Sequence, residues 1–418
     1  MQRLIFVIVV LLVFGLLDFY VWQAIKFSVR NLSESAKTVI NIVYWVFPSI
    51  IIVGSTLKLL GFFETQERIW RLVVFGAFAI NFLPKIVMLL FVFFDDLLRG
   101  VKYTTEQIAD KPKGNSLEIN ASNSITRSDF ILKTGLAVSA IPFATTTFGI
   151  LSGAYDYKIR RKTLSFPNLP KAFDGIKIGQ LSDIHSGSFY NKVAVQGGID
   201  MLNAEKPDIV FFTGDLVNDR ATEIREYIDI FSKVKSDLGV HSILGNHDYS
   251  MYLPWESNAA KLKNLQQVIL AHKEMGWDIM LNQNRQIVVD NERIALLGVE
   301  NWGVGFVSPG DIDIAHKGTE DNEFKILLSH DPSHWRAQVL PKYKDIDLTL
   351  SGHTHGMQFG LEIGNFQWSP VQFKYKEWGG LYTEGNQHIY VNRGYGFIGF
   401  PGRVGILPEV TILELKKG

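Results

Sequence analysis

Long apolar runs dominate the first third of the chain, and short apolar runs separated by polar turns make up the rest. The two patterns predict different architectures. Four N-terminal stretches reach the roughly 20 apolar residues that a bilayer crossing needs: residues 4–25, 39–60, 73–94 and 131–151. The first, LIFVIVVLLVFGLLDFYVWQAI, would also suit a signal peptide, but three further spans follow it. Thr145, Thr146 and Thr147 make the fourth the least apolar. The pair Pro84-Lys85 falls inside the third and Asp18 near the end of the first. The expected arrangement is a kink with the amine facing the helix bundle or snorkelling to the interface. Residues 1–151 are therefore expected to be an all-α transmembrane region of about four helices, and residues 152–175, basic and ending in Pro167 and Pro170, a linker.

From Ile176 onward, strand-length apolar runs alternate with helical segments. Expected strands are Ile176–Leu181, Ile209–Thr213, His241–Leu244, Ile294–Gly298, Lys325–Ser329, Leu348–Leu350, His388–Val391 and Val410–Leu415. Expected helices are Val193–Ala204, Thr222–Val234 and Asn258–Met275, with Met251 to Asn284 forming either a cap or a helix packed on the sheet. Residues 176–418 thus predict one α/β domain, long enough to bury its own core.

Composition narrows the chemistry. Of the 418 residues, 42 are Lys or Arg and 42 are Asp or Glu, so there is no basic excess of the kind a nucleic-acid binder carries. No cysteine is present, which excludes disulfides and thiolate zinc sites. All ten histidines lie at or beyond His185, in the α/β part.

The loops after the expected strands collect the polar residues. LSDIHSG supplies Asp183 and His185; FFTGDLVND supplies Asp215 and Asn218; LGNHDY supplies Asn246, His247 and Asp248; LLSHDP supplies His330; and LSGHTHGMQ supplies His353 and His355. Each block alone is ordinary turn chemistry. Open α/β folds bind ligands at the C-terminal ends of their strands, however, so five such blocks at strand ends point to one site. Two carboxylates, an amide and four imidazoles without sulfur suit Mn²⁺, Fe, Zn²⁺ or Ni²⁺, and seven ligands exceed a single open site, so two metals are expected.

D-x-H, G-D-x-x-N, G-N-H-D, a single His and G-H-x-H, in this order, resemble the calcineurin-like metallophosphoesterases over Ile176 to about Leu415. The resemblance implies a four-layer fold, a central β-sandwich flanked by helices. It implies that Asp183, His185 and His355 hold one metal, that Asn246, His330 and His353 hold the other, and that Asp215 bridges them. His247 would protonate the leaving oxygen or steady the phosphoryl charge. At the position of Asn218 calcineurin has an aspartate supporting that histidine, so here His247 is expected to lean on Asp219 or Asp248, or to be less basic. The implied reaction is hydrolysis by a water that paired cations activate, without a covalent nucleophile.

The N-terminal half resembles the membrane-anchored bacterial branch, whose relatives include enzymes cleaving the pyrophosphate of UDP-diacylglucosamine. A phosphodiester or pyrophosphate substrate, lipid-linked, is the expectation. A phosphomonoesterase acting on proteins or nucleotides and a non-catalytic metal-binding sensor are the alternatives. Arg393 and Arg403 are candidate phosphate clamps, and the aromatic residues from Phe366 to Trp378 line either the core, a pocket or a membrane interface.

Loop charges give a divided orientation. Lys26, Arg30, Lys37, Arg99, Lys102, Lys111, Lys113, Arg127 and Lys133 stand against Arg3, Arg68, Arg71 and the cluster Lys158, Arg160, Arg161, Lys162. Ile125 to Lys133, followed by GLAVSAIPFA, resembles a twin-arginine export signal with Ser128 in place of the second arginine. It points to a catalytic domain outside the cytoplasm.

Overall fold

A computed structural model of the chain describes residues 2–62, 67–108, 126–364 and 366–418. Lys111, Lys113 and Ile125, which entered the topology reading, lie outside the described residues. The chain divides into two compact units, Met1–Phe148 and Gly149–Gly418.

The first unit is built from helices α1 (Gln2–Ser28), α2 (Glu34–Leu59), α3 (Glu67–Ile108) and α4 (Arg127–Leu151). All four are long and apolar enough to cross a membrane. The threonines of α4 do not interrupt it, because Thr145 and Thr147 return their hydroxyls to the carbonyls of Ile141 and Phe143 one turn back. The helix α3 continues through Pro84 and extends well past the expected span at both ends. Lys85 faces the bundle: it pairs with Asp18 of α1 and bonds Asn81 Oδ1 at 2.6 Å, while Asn81 Nδ2 donates to Asp18 at 3.1 Å. Asp18 and Lys85 thus each have a partner within the apolar helices.

Among the described residues the second unit holds fourteen strands. In chain order these are β1 (Lys158–Phe166), β2 (Lys177–Leu181), β3 (Ile209–Phe212), β4 (Val240–Ser242), β5 (Asp278–Ile279), β6 (Gln283–Val289), β7 (Glu292–Gly298), β8 (Lys325–Leu328), β9 (Leu348–Ser351), β10 (Leu361–Ile363), β11 (Phe366–Trp368), β12 (Gly380–Glu384), β13 (Gln387–Val391) and β14 (Glu409–Lys417). One sheet has the order β1-β14-β2-β3-β4-β5, the other β12-β13-β9-β8-β7-β6, and β10-β11 is a separate pair. Ile178, Phe211, Leu413 and Leu415 of the first sheet pack against Leu296, Ile326, Leu348 and Leu350 of the second. The alternate side chains of the same strands, such as Phe212 and Leu297, face helices on the outer sides: Phe212 meets α5 (Lys192–Ala204) and α6 (Asn258–Glu274), and Leu297 meets Ile312, Trp335 and Val339. The period of two within each strand therefore builds four layers.

Three expectations are corrected. Residues 158–166 of the linker form β1, an edge strand parallel to β14. Leu164 and Phe166 enter the core between the sheets, and the flanking cations, which obscured the pattern, blunt the edge. Arg161 binds Glu205 through two bonds of 2.8 and 2.6 Å. The expected helix Thr222–Val234 is a 3₁₀ turn over Ala221–Glu226 followed by a short helix over Ile228–Phe231. Glu223 there turns back to accept from the main-chain N–H of Asn218 at 2.6 Å. The strand β4 ends at Ser242, so Ile243 and Leu244 open the following loop. Of the two readings of residues 251–284, the packed helix is observed, since Val268 and Ala271 of α6 lie in the core.

Candidate metal centre

The strands β2, β3 and β4 run parallel in one sheet, and β7, β8 and β9 run parallel in the other. The loops leaving β2, β3, β4, β8 and β9 carry the residues expected to form the site, and their side chains meet. They fall into two groups, Asp183 with His185 and His355, and Asp215 with His330 and His353. In the first, His355 Nε2 lies 3.2 Å from Asp183 Oδ1 and 3.0 Å from His185 Nε2. In the second, His330 Nε2 lies 3.1 Å from Asp215 Oδ2 and 3.3 Å from His353 Nδ1, which is 2.8 Å from Asn246 Oδ1. Asp215 Oδ2 is also 3.5 Å from His185 Nε2, so this carboxylate stands between the groups.

The local backbone is unusual where it has to be. Asp183 (φ 52°), His185 (48°), Asp215 (63°), His353 (72°) and His355 (51°) all adopt the left-handed region. Non-glycine residues there cost of order 1 kcal/mol or more each and persist only where the surroundings fix them. The loops also approach closely: a Cβ on Gly352 would overlap Asp183 Oδ2 and Ser182 Oγ, and one on Gly245 would overlap Asp215 Oδ1.

Hydrogen bonds aim the rings. His330 Nδ1–H donates to Thr213 O at 2.7 Å, leaving Nε2 toward the site. Asn246 Nδ2 donates to Tyr252 at 2.8 Å, which turns Oδ1 inward. His353 Nε2 lies 2.8 Å from the Tyr375 hydroxyl and 3.4 Å from Asp331 Oδ2, so its other nitrogen faces the second group. Such outer partners fix tautomer and orientation in metal sites.

Charge follows burial and proximity. Burial pushes the His185 imidazole well below its usual pKa against the pull of Asp215, and burial takes His353 down to about 4. Burial also opposes the charge of His330, but Asp215 and Asp183 overcome it and raise the ring to about 10. Asp183 and Asp215 are buried too, yet the surrounding histidines hold both well below the usual carboxylate range.

Each of the two donor groups fits a divalent cation. Two metal–ligand bonds of about 2.1 Å at right angles place their donor atoms about 3.0 Å apart. The facing nitrogens of His185 and His355 lie 3.0 Å apart and those of His330 and His353 3.3 Å. Nitrogen lone pairs converging at this separation call for a proton or a cation between them.

His247 and its support differ from expectation. Its Nδ1–H donates to the main-chain carbonyl of Asn218 at 2.8 Å, not to Asp219 or Asp248. The Asn218 amide group is turned away, with Nδ2 donating to Ser188 Oγ at 3.1 Å. Asp248 instead accepts from the N–H groups of Asp215, Leu216, Val217 and Gly245 at 2.9–3.3 Å, tying the β3 and β4 loops together. Asp248→Ala strands these buried donors at about 1–3 kcal/mol for each left unsatisfied. A loss of at least ~3 kcal/mol is expected, seen as a melting temperature lower by about 6–12 °C for a unit of this size. A melt indistinguishable from the parent would remove Asp248 from this role.

Arg393 and Arg403, expected at the substrate, are each 1% exposed and committed elsewhere. Arg393 pairs with Glu409 at 2.7 Å and lies 3.1 Å from Glu362. Arg403 donates to the carbonyls of Arg393, Gly394 and Gly396, and its Nη2 lies 3.2 Å from His355 Nδ1. Neither is placed as a phosphate clamp, because Arg393 is buried in ion pairs with Glu409 and Glu362 and Arg403 is bound by buried carbonyls. Asp331 and Tyr252, which contact site residues, were not singled out in the sequence, and Tyr375 entered only among the aromatic residues from Phe366 to Trp378. Asp331 directly follows His330, the one cue present.

A two-sheet sandwich gathers buried His, Asp and Asn side chains at its parallel strand ends, a donor set that suits divalent metals. Residues 176–357 match the family described as "Calcineurin-like phosphoesterase", and residues 2–154 match "Probable Calcineurin-like phosphoesterase, transmembrane domain". The uncharacterized metallophosphoesterase YkuE of Bacillus subtilis is 31% identical over 258 residues, 61% of this chain and 84% of that protein. The transmembrane protein with metallophosphoesterase domain of Danio rerio is 29% identical over 280 residues, 65% of this chain and 60% of that protein. Phosphodiesterase YaeI of Escherichia coli is 28% identical over 240 residues, 57% of this chain and 82% of that protein. The chain belongs to the calcineurin-like metallophosphoesterases, and is a phosphoester hydrolase with a membrane domain.

Proposed function

We propose that residues 149–418 hydrolyse a phosphodiester or pyrophosphate bond of a lipid-linked substrate, a UDP-diacylglucosamine-like molecule being one of the class. The observation carrying this reading is the position of Asp215, 3.1 Å from His330 and 3.5 Å from His185, between two buried groups of donors. Asp183, His185 and His355 would hold one divalent cation, Asn246, His330 and His353 the second, and Asp215 would touch both. Mn, Fe, Zn and Ni all suit this oxygen and nitrogen set. When bound, the pair would supply positive charge to the phosphate oxygens and lower the pKa of water.

The chain's own residues do the rest. His247 donates Nδ1–H to Asn218 O, so its Nε2 is the atom free to carry a proton to the leaving oxygen, and the carbonyl steadies the imidazolium. The His247 ring packs edge-on against His185 at 4.9 Å and beside Tyr252 at 4.4 Å, which limits its swing. Phe306 stands edge-on to His353 at 4.8 Å, an apolar neighbour compatible with a substrate that has an apolar portion. The Arg127-Ser128 segment supports a catalytic domain outside the cytoplasm; an impermeant maleimide on a cysteine introduced at Val288 would report the side in whole cells.

The full chain in detergent, supplied with each divalent metal in turn, is expected to hydrolyse bis-p-nitrophenyl phosphate faster than p-nitrophenyl phosphate. Monoester preference would favour the phosphatase reading, and metal binding without turnover the sensor. His247→Gln is expected to lower turnover by about 10²–10⁴-fold, the usual contribution of a general acid. The loss should shrink as the leaving group becomes more acidic, with metal content unchanged. A loss independent of leaving group would assign His247 to charge stabilisation instead.

A further inference from the structure

On the strand pair β10-β11 the usual polarity is inverted. Its register sets Leu361 opposite Trp368, Glu362 opposite Gln367 and Ile363 opposite Phe366. Leu361, Ile363, Phe366 and Trp368 therefore share one face, and Glu362 and Gln367 the other. The polar face is tied down. Glu362 pairs with Arg160 and lies 3.1 Å from Arg393 Nε, and Arg393 Nη2 donates to Gln367 Oε1 at 2.9 Å. Because Arg393 is itself buried and paired with Glu409, the pair cannot turn over without breaking buried ionic contacts.

The apolar face is left outward, with Ile363 70% exposed, Phe366 58% and Leu361 51%. The same character continues on both sides. Met357 and Phe359, just past His355, are exposed, and Phe373, two residues before Tyr375, is 83% exposed. A cluster of this kind marks an interaction surface.

The chain supplies its own candidate occupant. The fourth candidate span ends at Leu151 and β1 begins at Lys158. The residues between them reach at most about 25 Å, so the first residue of β1 lies no farther than that from the end of the fourth candidate span. Aromatic side chains interleaved with Lys374 and Lys376 are the composition of an interfacial contact.

We propose that the apolar face of β10-β11, with Met357, Phe359 and Phe373, rests in the lipid interface of the membrane the chain itself spans. The metal centre is close behind this surface, since Tyr375 touches His353 and the segment from His355 runs directly into β10. A phosphate group held at the bilayer surface is then presented without leaving the membrane. This purpose rests on the hydrolase reading above.

The test does not rest on that reading. The chain has no cysteine, so a thiol introduced by Ile363→Cys or Phe366→Cys is the sole labelling site. Val288→Cys, exposed on β6 at the edge of the second sheet farthest from β12, is the control. The full chain, labelled with an environment-sensitive fluorophore, is reconstituted in phosphatidylcholine and phosphatidylglycerol vesicles containing lipids with a doxyl quencher near the headgroup. An interfacial face lies about 5–10 Å into the headgroup and acyl boundary, so strong quenching at 363 and 366 and little at 288 is expected. Equal quenching at all three, or none, would overturn the docking. So would a disulfide forming between copies at 363 without quenching, which would assign the face to a second copy of the chain. Thermal melts matching the parent establish that each labelled chain is folded. Diester turnover without quenching would remove the docking and leave the hydrolase reading standing; quenching without turnover would do the reverse.

Discussion

Asp215→Ala is expected to lower metal-dependent phosphodiester turnover by on the order of 10³-fold or more. The carboxylate faces His330 on one side and His185 on the other, and its second oxygen accepts from the His247 main-chain N–H at 2.8 Å. Losing it therefore touches both donor groups and the loop carrying the candidate acid. Metal-supplied charge stabilisation is worth several kcal/mol, and each 1.36 kcal/mol is about tenfold in rate. Asp215→Asn keeps the shape and the N–H contact but removes the charge, so it separates the two contributions. If the electrostatic reading is right, the asparagine variant loses nearly as much turnover as the alanine variant while melting, without metal, close to the parent. A variant of either kind retaining a tenth of the activity would contradict the shared-ligand assignment. Metal content measured alongside should fall below that of the parent.

How far the sequence reveals such a site depends on whether the relevant contacts are local. The five motif blocks were legible because each is a short turn at the end of an apolar run, where residue type and position lie in the same few residues. Asp183 and His355 are far apart in sequence, yet the parallel strands beneath them made their meeting expected. The support of His247 was not legible, since the acceptor is a backbone carbonyl, an atom every residue has. The arginines misled for the opposite reason. Arg393 and Arg403 have the right chemistry for phosphate, and only tertiary structure brings Glu409, Glu362 and a ring of carbonyls to consume it. The strand β1 was lost because its cations imitate a membrane-flanking linker, although Leu164 and Phe166 carry the alternation that buries it. Tyr375 lies in an aromatic stretch with several bland readings, and only its 2.8 Å contact with His353 singles it out.

The same geometry predicts how strongly a metal should stabilise the second unit. Five site residues hold left-handed backbone conformations, at a cost of order 1 kcal/mol or more each, and buried imidazole nitrogens face one another at 3.0 and 3.3 Å. An unfolded chain relaxes all of this and retains no preformed cluster, so a divalent cation binds the folded form almost exclusively. At a free concentration near 1,000 times Kd the linkage amounts to about 4 kcal/mol for one site. For a unit of this size that corresponds to a rise in melting temperature of roughly 8–16 °C. Chelation should reverse the rise and abolish turnover together, and restoring the metal should recover both. Tyr375→Phe tests the orienting shell within the same experiment. It removes the hydroxyl beside His353 Nε2 without touching a ligand, and outer-shell losses typically weaken metal affinity by about 10–100-fold. The stabilising metal concentration should therefore shift upward by that factor, while the melt without metal stays near the parent. An unchanged metal dependence would reduce the Tyr375 contact to packing.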